Sequence, residues 1–104
     1  MTDTMERVTC RTPAEGRDGV TNIPAWKFEA VRGAILDAVS QAGPEGQPFK
    51  GLSGEVKSRL PADTLAKLGS VGWHTTTVKL EMEVAGDIAR LDGVSPQRIV
   101  LASA

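Results

Sequence analysis

Apolar residues recur at three- and four-residue steps between Pro24 and about Gln41. Phe28, Val31, Ile35, Ala38 and Val39 fall on one stripe, with Lys27, Glu29, Arg32 and Asp37 largely away from it. The spacing predicts a helix, with Pro24 at the first helical position, where its missing N–H has no partner to lose. Two prolines and no apolar period make Ala42–Pro48 an exposed loop. Ser53 is placed to cap a short second helix, with Val56 and Leu60 pointing inward and Glu55 in the first turn, where the helix dipole favours an anion. Pro61 to Leu68, with Leu65 and Leu68 apolar and Gly69 beyond the end, reads as a third short helix.

From Thr77 to Val84 the pattern supports two elements. Strict alternation is the mark of a half-buried strand. Lys, Leu, Glu, Met and Ala are good helix formers, however. Wound as a helix, the segment puts Trp73, Thr77, Leu80 and Val84 on one face and Val78, Met82 and Ala85 on the next. We take helix, with strand as the rival. Gly86 supplies a left-handed stop, and Asp92-Gly93 turns the chain between Ile88–Leu91 and Arg98–Leu101, a terminal hairpin. Near the start, Arg7–Thr12 and Val20–Ile23 read as a loose hairpin or an edge strand. Residues 1–6 read as a disordered terminus, and 7–104 as one α+β domain of three to four helices.

Composition narrows the function classes. The chain has 104 residues, 40% of them hydrophobic and 24% charged, with a net charge of −1. It is long enough for one core, and it has no overall attraction to polyanions. Cys10 is the sole cysteine, which rules out an internal disulfide and fits the cytoplasm. No apolar run is long enough to span a bilayer, and the N-terminus lacks the apolar region of a secretory signal. No spacing suggests a metal site, a cofactor or a small-molecule substrate. The expectation is a protein that is not an enzyme.

The order of helices followed by a hairpin resembles the winged helix-turn-helix fold, most clearly from Val78 through Arg90. Met82, Glu83, Gly86, Ile88 and Arg90 occupy the places of its hydrophobic-acidic helix end, glycine, aliphatic and wing arginine. The chain also resembles a family of small bacterial proteins of unknown function with a tryptophan near the start of that helix, supplied here by Trp73. The winged-helix resemblance implies duplex DNA as a partner. His74, Thr75, Thr76 and Lys79 would then face the major groove, and Arg90 and Arg98 on the wing would reach phosphates. Charge departs from that pattern. Between Ser70 and Ala104, Lys79, Arg90 and Arg98 are outnumbered by Glu81, Glu83, Asp87 and Asp92. Three neutralised phosphates imply a log-log salt slope of only about −3.

The alternative is a protein-interaction module, a homodimer or a partner-docking domain without nucleic-acid binding. Trp26 and Trp73 are core residues by default. Trp26, however, is two positions before Phe28, about 200° around the helix, which would turn it outward as a partner surface. His74 reads as a solvent-facing or capping histidine, Cys10 as a partly buried strand residue, and Thr75-Thr76-Thr77 as helix caps before phosphate contacts. Gly69 to Gly72 reads as a helix-to-helix turn without the lysine of a phosphate loop.

Overall fold

The computed structural model describes residues 7–11, 20–91, 93 and 96–102. The expectations for residues 1–6 and for the turn within 13–19 lie outside them. The chain is α+β. Strands β1 (Arg7–Arg11) and β2 (Val20–Pro24) form an antiparallel hairpin, with Val8 opposite Ile23 and Cys10 opposite Thr21. Helix α1 (Ala25–Ala42) follows, then β3 (Gln47–Pro48), α2 (Leu52–Arg59), α3 (Ala62–Leu68) and α4 (Val71–Ala85). Strands β4 (Ile88–Arg90) and β5 (Arg98–Leu101) close the chain as a hairpin, with Ala89 opposite Val100.

Helix α1 buries the stripe that its periodicity foretells, Phe28, Val31, Ile35, Ala38 and Val39, with Ala34 beside them. It packs against α2 and α4, and α2 packs against α4. The core between them is completed by Leu52, Val56, Leu68, Val78, Met82, Ile88 and Ile99. Each such aliphatic side chain removed from water contributes about 1.5–3 kcal/mol before the entropy of ordering the chain. The N-terminal hairpin lies on α4 and α1, while the terminal sheet lies against α1 and the end of α4.

Several local expectations are corrected. Pro24 is not the first helical residue. It ends β2 opposite Arg7 and flanks α1 with an extended backbone. Ser53 does not cap α2, whose N-cap is Gly51, so Ser53 stands inside the first turn. The segment Ala42–Pro48 is not a plain exposed loop. After a single 3₁₀ turn, Gln47 and Pro48 pair with Ile99 and Arg98, which places β5 in the middle of a three-stranded sheet ordered β3-β5-β4. Gly46 makes this approach possible: at φ 86° a Cβ would lie 3.0 Å from the Arg98 Cβ and 3.3 Å from the Ile99 carbonyl oxygen.

The disputed segment is helical, and Gly86 ends it in the left-handed region at φ 89°, ψ 16°. Its N–H reaches the Met82 carbonyl at 3.0 Å, and the next N–H, from Asp87, reaches the same oxygen at 2.9 Å. The alternation that imitates a strand arises because α4 is buried over more than half its circumference, so helical spacing alone does not sort its apolar from its polar positions.

Candidate functional site

Helix α4 starts at Ser70, whose Oγ accepts the Trp73 N–H at 3.0 Å. Thr75, Thr76 and Thr77 therefore do not cap it. The Nδ1 of His74 lies 2.7 Å from the Ser70 carbonyl oxygen; because a carbonyl only accepts, Nδ1 carries a proton. The His74 and Trp73 rings meet edge to face at 4.8 Å.

The inward face of α4 carries more polar chemistry than a core face normally holds. Val78 and Met82 are completely enclosed, but so are polar and charged neighbours. Lys79 is only 2% exposed. Its Nζ donates to the Gln97 Oε1 at 2.6 Å, pairs with Glu83 at 2.9 Å and lies 4.7 Å from the centroid of the Phe49 ring. Buried Glu81 accepts the Arg11 backbone N–H at 2.8 Å and a two-pronged grip from the Arg11 guanidinium at 2.9 and 2.5 Å. That hydrogen-bonded guanidinium holds the Glu81 carboxyl below the usual carboxylate range. Thr75 is 1% exposed, and its Oγ1 has no hydrogen-bond partner among the described residues. An unpaired buried hydroxyl costs about 1–3 kcal/mol.

The outward strip is the reverse. At 100° per residue, Gly72, Trp73, Thr76, Leu80, Glu83 and Val84 fall within about 120° of one another. Trp73 is 48% exposed and Val84 43%, Thr76 is exposed and Leu80 is half-buried. Trp73 is therefore not a core residue, contrary to the default reading. Glu83 is the one charge on the strip, and it is held by Lys79 and by Arg90 at 3.3 Å.

The six residues proposed for nucleic-acid contact do not form one surface. His74, Thr75 and Lys79 are turned inward, because α1, α2 and β1 together cover that side of α4. Thr76 is on the open strip. Arg90 is exposed but donates to Glu83, and the Arg98 guanidinium donates to the Gly46 carbonyl at 2.9 Å. Trp26 is 43% exposed, as its angle from Phe28 foretells, and lies beside α3 with the Lys27 Nζ 5.7 Å from its ring centroid. Cys10 is enclosed in β1, and burial, helped by the Glu81 charge, pushes its thiol up to about 11. At neutral pH it is a thiol and not a nucleophilic thiolate.

A family model matches residues 7–99, which spans every element except the last residues of β5. The chain belongs to DUF6958, a family of unknown function. No curated protein and no solved structure matches it. In this DUF6958 member the whole of α4 and both hairpins except the end of β5 lie within the matched residues. No group of three or more His, Cys, Asp or Glu among the described residues is placed to hold a metal ion. No helix among them is long and apolar enough to cross a membrane.

Sequence reasoning missed the Arg11–Glu81 grip, which joins residues 70 positions apart without any local signal. Lys79 and Glu83 did carry one, their i,i+4 spacing.

Proposed function

We propose that this protein is a non-catalytic cytoplasmic interaction module, and that the outward strip of α4 docks a second copy of the chain. The observation that carries the reading is an inversion: α4 buries a lysine, a glutamate and a histidine while leaving Trp73 and Val84 in solvent. A monomer has no use for that arrangement, because exposed aromatic and aliphatic groups grouped on one face cost solubility and are characteristic of binding surfaces. The strip suits self-pairing. Antiparallel helices about a two-fold axis would set Trp73 against Val84 of the second copy and Leu80 against Thr76. Glu83, the strip's only charge, is already neutralised within its own chain, so pairing strands no unmatched charge.

Sedimentation equilibrium across a wide concentration range tests this reading. The wild type is expected to rise from its monomer mass of 11.0 kDa toward twice that value, and Trp73→Asp to stay monomeric with its fold intact. A monomer mass at every concentration overturns self-pairing and turns the strip over to a different protein.

Duplex DNA is the second reading, favoured by the order of α4, left-handed glycine and terminal hairpin that underlies the winged-helix resemblance. The occupied state of Lys79, Arg90 and Arg98 weighs against it. Anisotropy of a random-sequence duplex at low and physiological salt separates the two readings: salt-sensitive binding favours DNA, and its absence favours the docking module.

A further inference from the structure

A cavity of about 200 Å³ lies where the starts of α2 and α4 meet, lined by Phe49, Lys50, Ser53, Gly72, Thr75 and Thr76. Three features of its wall agree. First, its inner side is Thr75, almost fully buried, whose Oγ1 has no hydrogen-bond partner among the described residues. Buried hydroxyls are normally paired, so this one leaves a hydrogen-bond donor unspent beside the cavity. Second, the cavity sits at the positive ends of two helices, α2 of eight residues and α4 of fifteen, although the Leu52 N–H is taken by the Phe49 carbonyl and the Trp73 N–H by the Ser70 hydroxyl. Third, the wall bears hydroxyls and the exposed ammonium of Lys50 but no carboxylate. The cleft beside Trp26 and the groove between α1 and α2 differ in this respect, being lined by Asp63 and Asp37.

We propose that this cavity is an oxyanion site that takes a single phosphate group, with the Thr75 hydroxyl and the Lys50 ammonium as its principal donors. Ser53 and Thr76 supply further hydroxyls at the mouth. The wall is open at Gly72, where a Cβ would meet nothing within 4 Å. The volume fits a phosphate but not a nucleotide base and sugar beside it. The phosphate is either a free inorganic ion or a diester in a nucleic-acid backbone, which have in common a pair of anionic non-bridging oxygens. The principal donors, Thr75 and Lys50, lie off the outward strip, while Gly72 and Thr76 at the mouth belong to it, so the site is titrated at a protein concentration where the chain is monomeric.

The test is a ¹H–¹⁵N correlation spectrum of the full chain titrated with sodium phosphate at constant ionic strength, sodium chloride making up the balance. Saturable shifts confined to amides near 50–54 and 71–76 are expected. Thr75→Val and Lys50→Ala are each expected to weaken binding tenfold or more while the remaining spectrum stays native. Linear, unsaturable drift, or affinity unchanged in both variants, overturns the site. Lys50 is exposed, so its variant keeps the test decisive even if Thr75→Val disturbs packing. A second titration with a short duplex identifies the source. Shifts at the same amides that free phosphate competes away identify a backbone diester, and none identifies the free ion.

Discussion

The two sides of α4 reverse the usual division of labour on a surface helix. Toward the protein it presents Lys79, Glu81, His74 and Thr75 alongside Val78 and Met82; toward solvent it presents Trp73, Leu80 and Val84. The inward charges are tolerable because each is bonded: Lys79 to Gln97 and Glu83, Glu81 to Arg11. Burying a charge is costly unless it is paired and hydrogen-bonded, and burying an apolar side chain is favourable almost anywhere. Helix α4 does both on its inner side, with Val78 and Met82 enclosed, yet leaves Trp73 and Val84 in solvent. On the docking proposal, the outward side is the part of α4 that a second copy would cover.

This contrast can be broken from the inside or from the outside. The largest effect belongs to Met82→Ala, which opens a cavity beside Val78 and is expected to cost about 2–5 kcal/mol, read as a lowered urea midpoint at unchanged slope. Lys79→Ala follows at about 1–3 kcal/mol, because it unpairs Gln97 and strips the packing over Phe49. Lys79→Met, which keeps the aliphatic stem, is expected to lose less. If charge alone mattered, the two would lose equally.

Thr75→Val runs the other way. Replacing an unpaired buried hydroxyl with a methyl group removes its desolvation penalty, so a gain of about 1 kcal/mol is expected, with a melting temperature higher by roughly 4–8 °C. Destabilisation would mean that the hydroxyl is satisfied in solution.

Acid sharpens the picture of Glu81. Its carboxyl is held below its ordinary value of 4.5 by Arg11, so between the folded and unfolded values the unfolded chain binds a proton that the folded chain does not. The stability contributed by the pair is complete above about pH 4.5 and is lost as pH falls through the lower, folded value. Urea midpoints of wild type and Glu81→Gln are expected to converge as the medium is acidified. Parallel curves would place the acid sensitivity elsewhere.

The smallest stability effect is expected on the outward side. Trp73→Ser should change the unfolding free energy by no more than about 0.5 kcal/mol. A large loss would return Trp73 to the core.

The fold was legible where its causes are local. The α1 stripe, the Gly86 stop and the terminal hairpin follow from spacing and from one residue's freedom at positive φ. Strand β3 was not, because Gln47 and Pro48 become a strand only through a partner some fifty residues away in β5. Helix α4 shows the limit most clearly. Periodicity separates Trp73, Leu80 and Val84 from Val78 and Met82 but puts buried Thr77 with the first set and exposed Ala85 with the second, and which side turns inward is decided by where α1, α2 and the N-terminal hairpin press. Of the candidate groove contacts, the same pressing elements cover His74, Thr75 and Lys79 and leave Thr76 on the open side.

The most direct measurement of whether the outward strip is a docking face is the fluorescence of Trp73 as the sole tryptophan, in a Trp26→Phe background, followed over protein concentration with an added neutral quencher. Self-pairing predicts that concentrating the protein moves the emission to shorter wavelength and shields Trp73 from the quencher, and that Leu80→Glu abolishes both changes. Emission and quenching that stay constant across the whole range would contradict it.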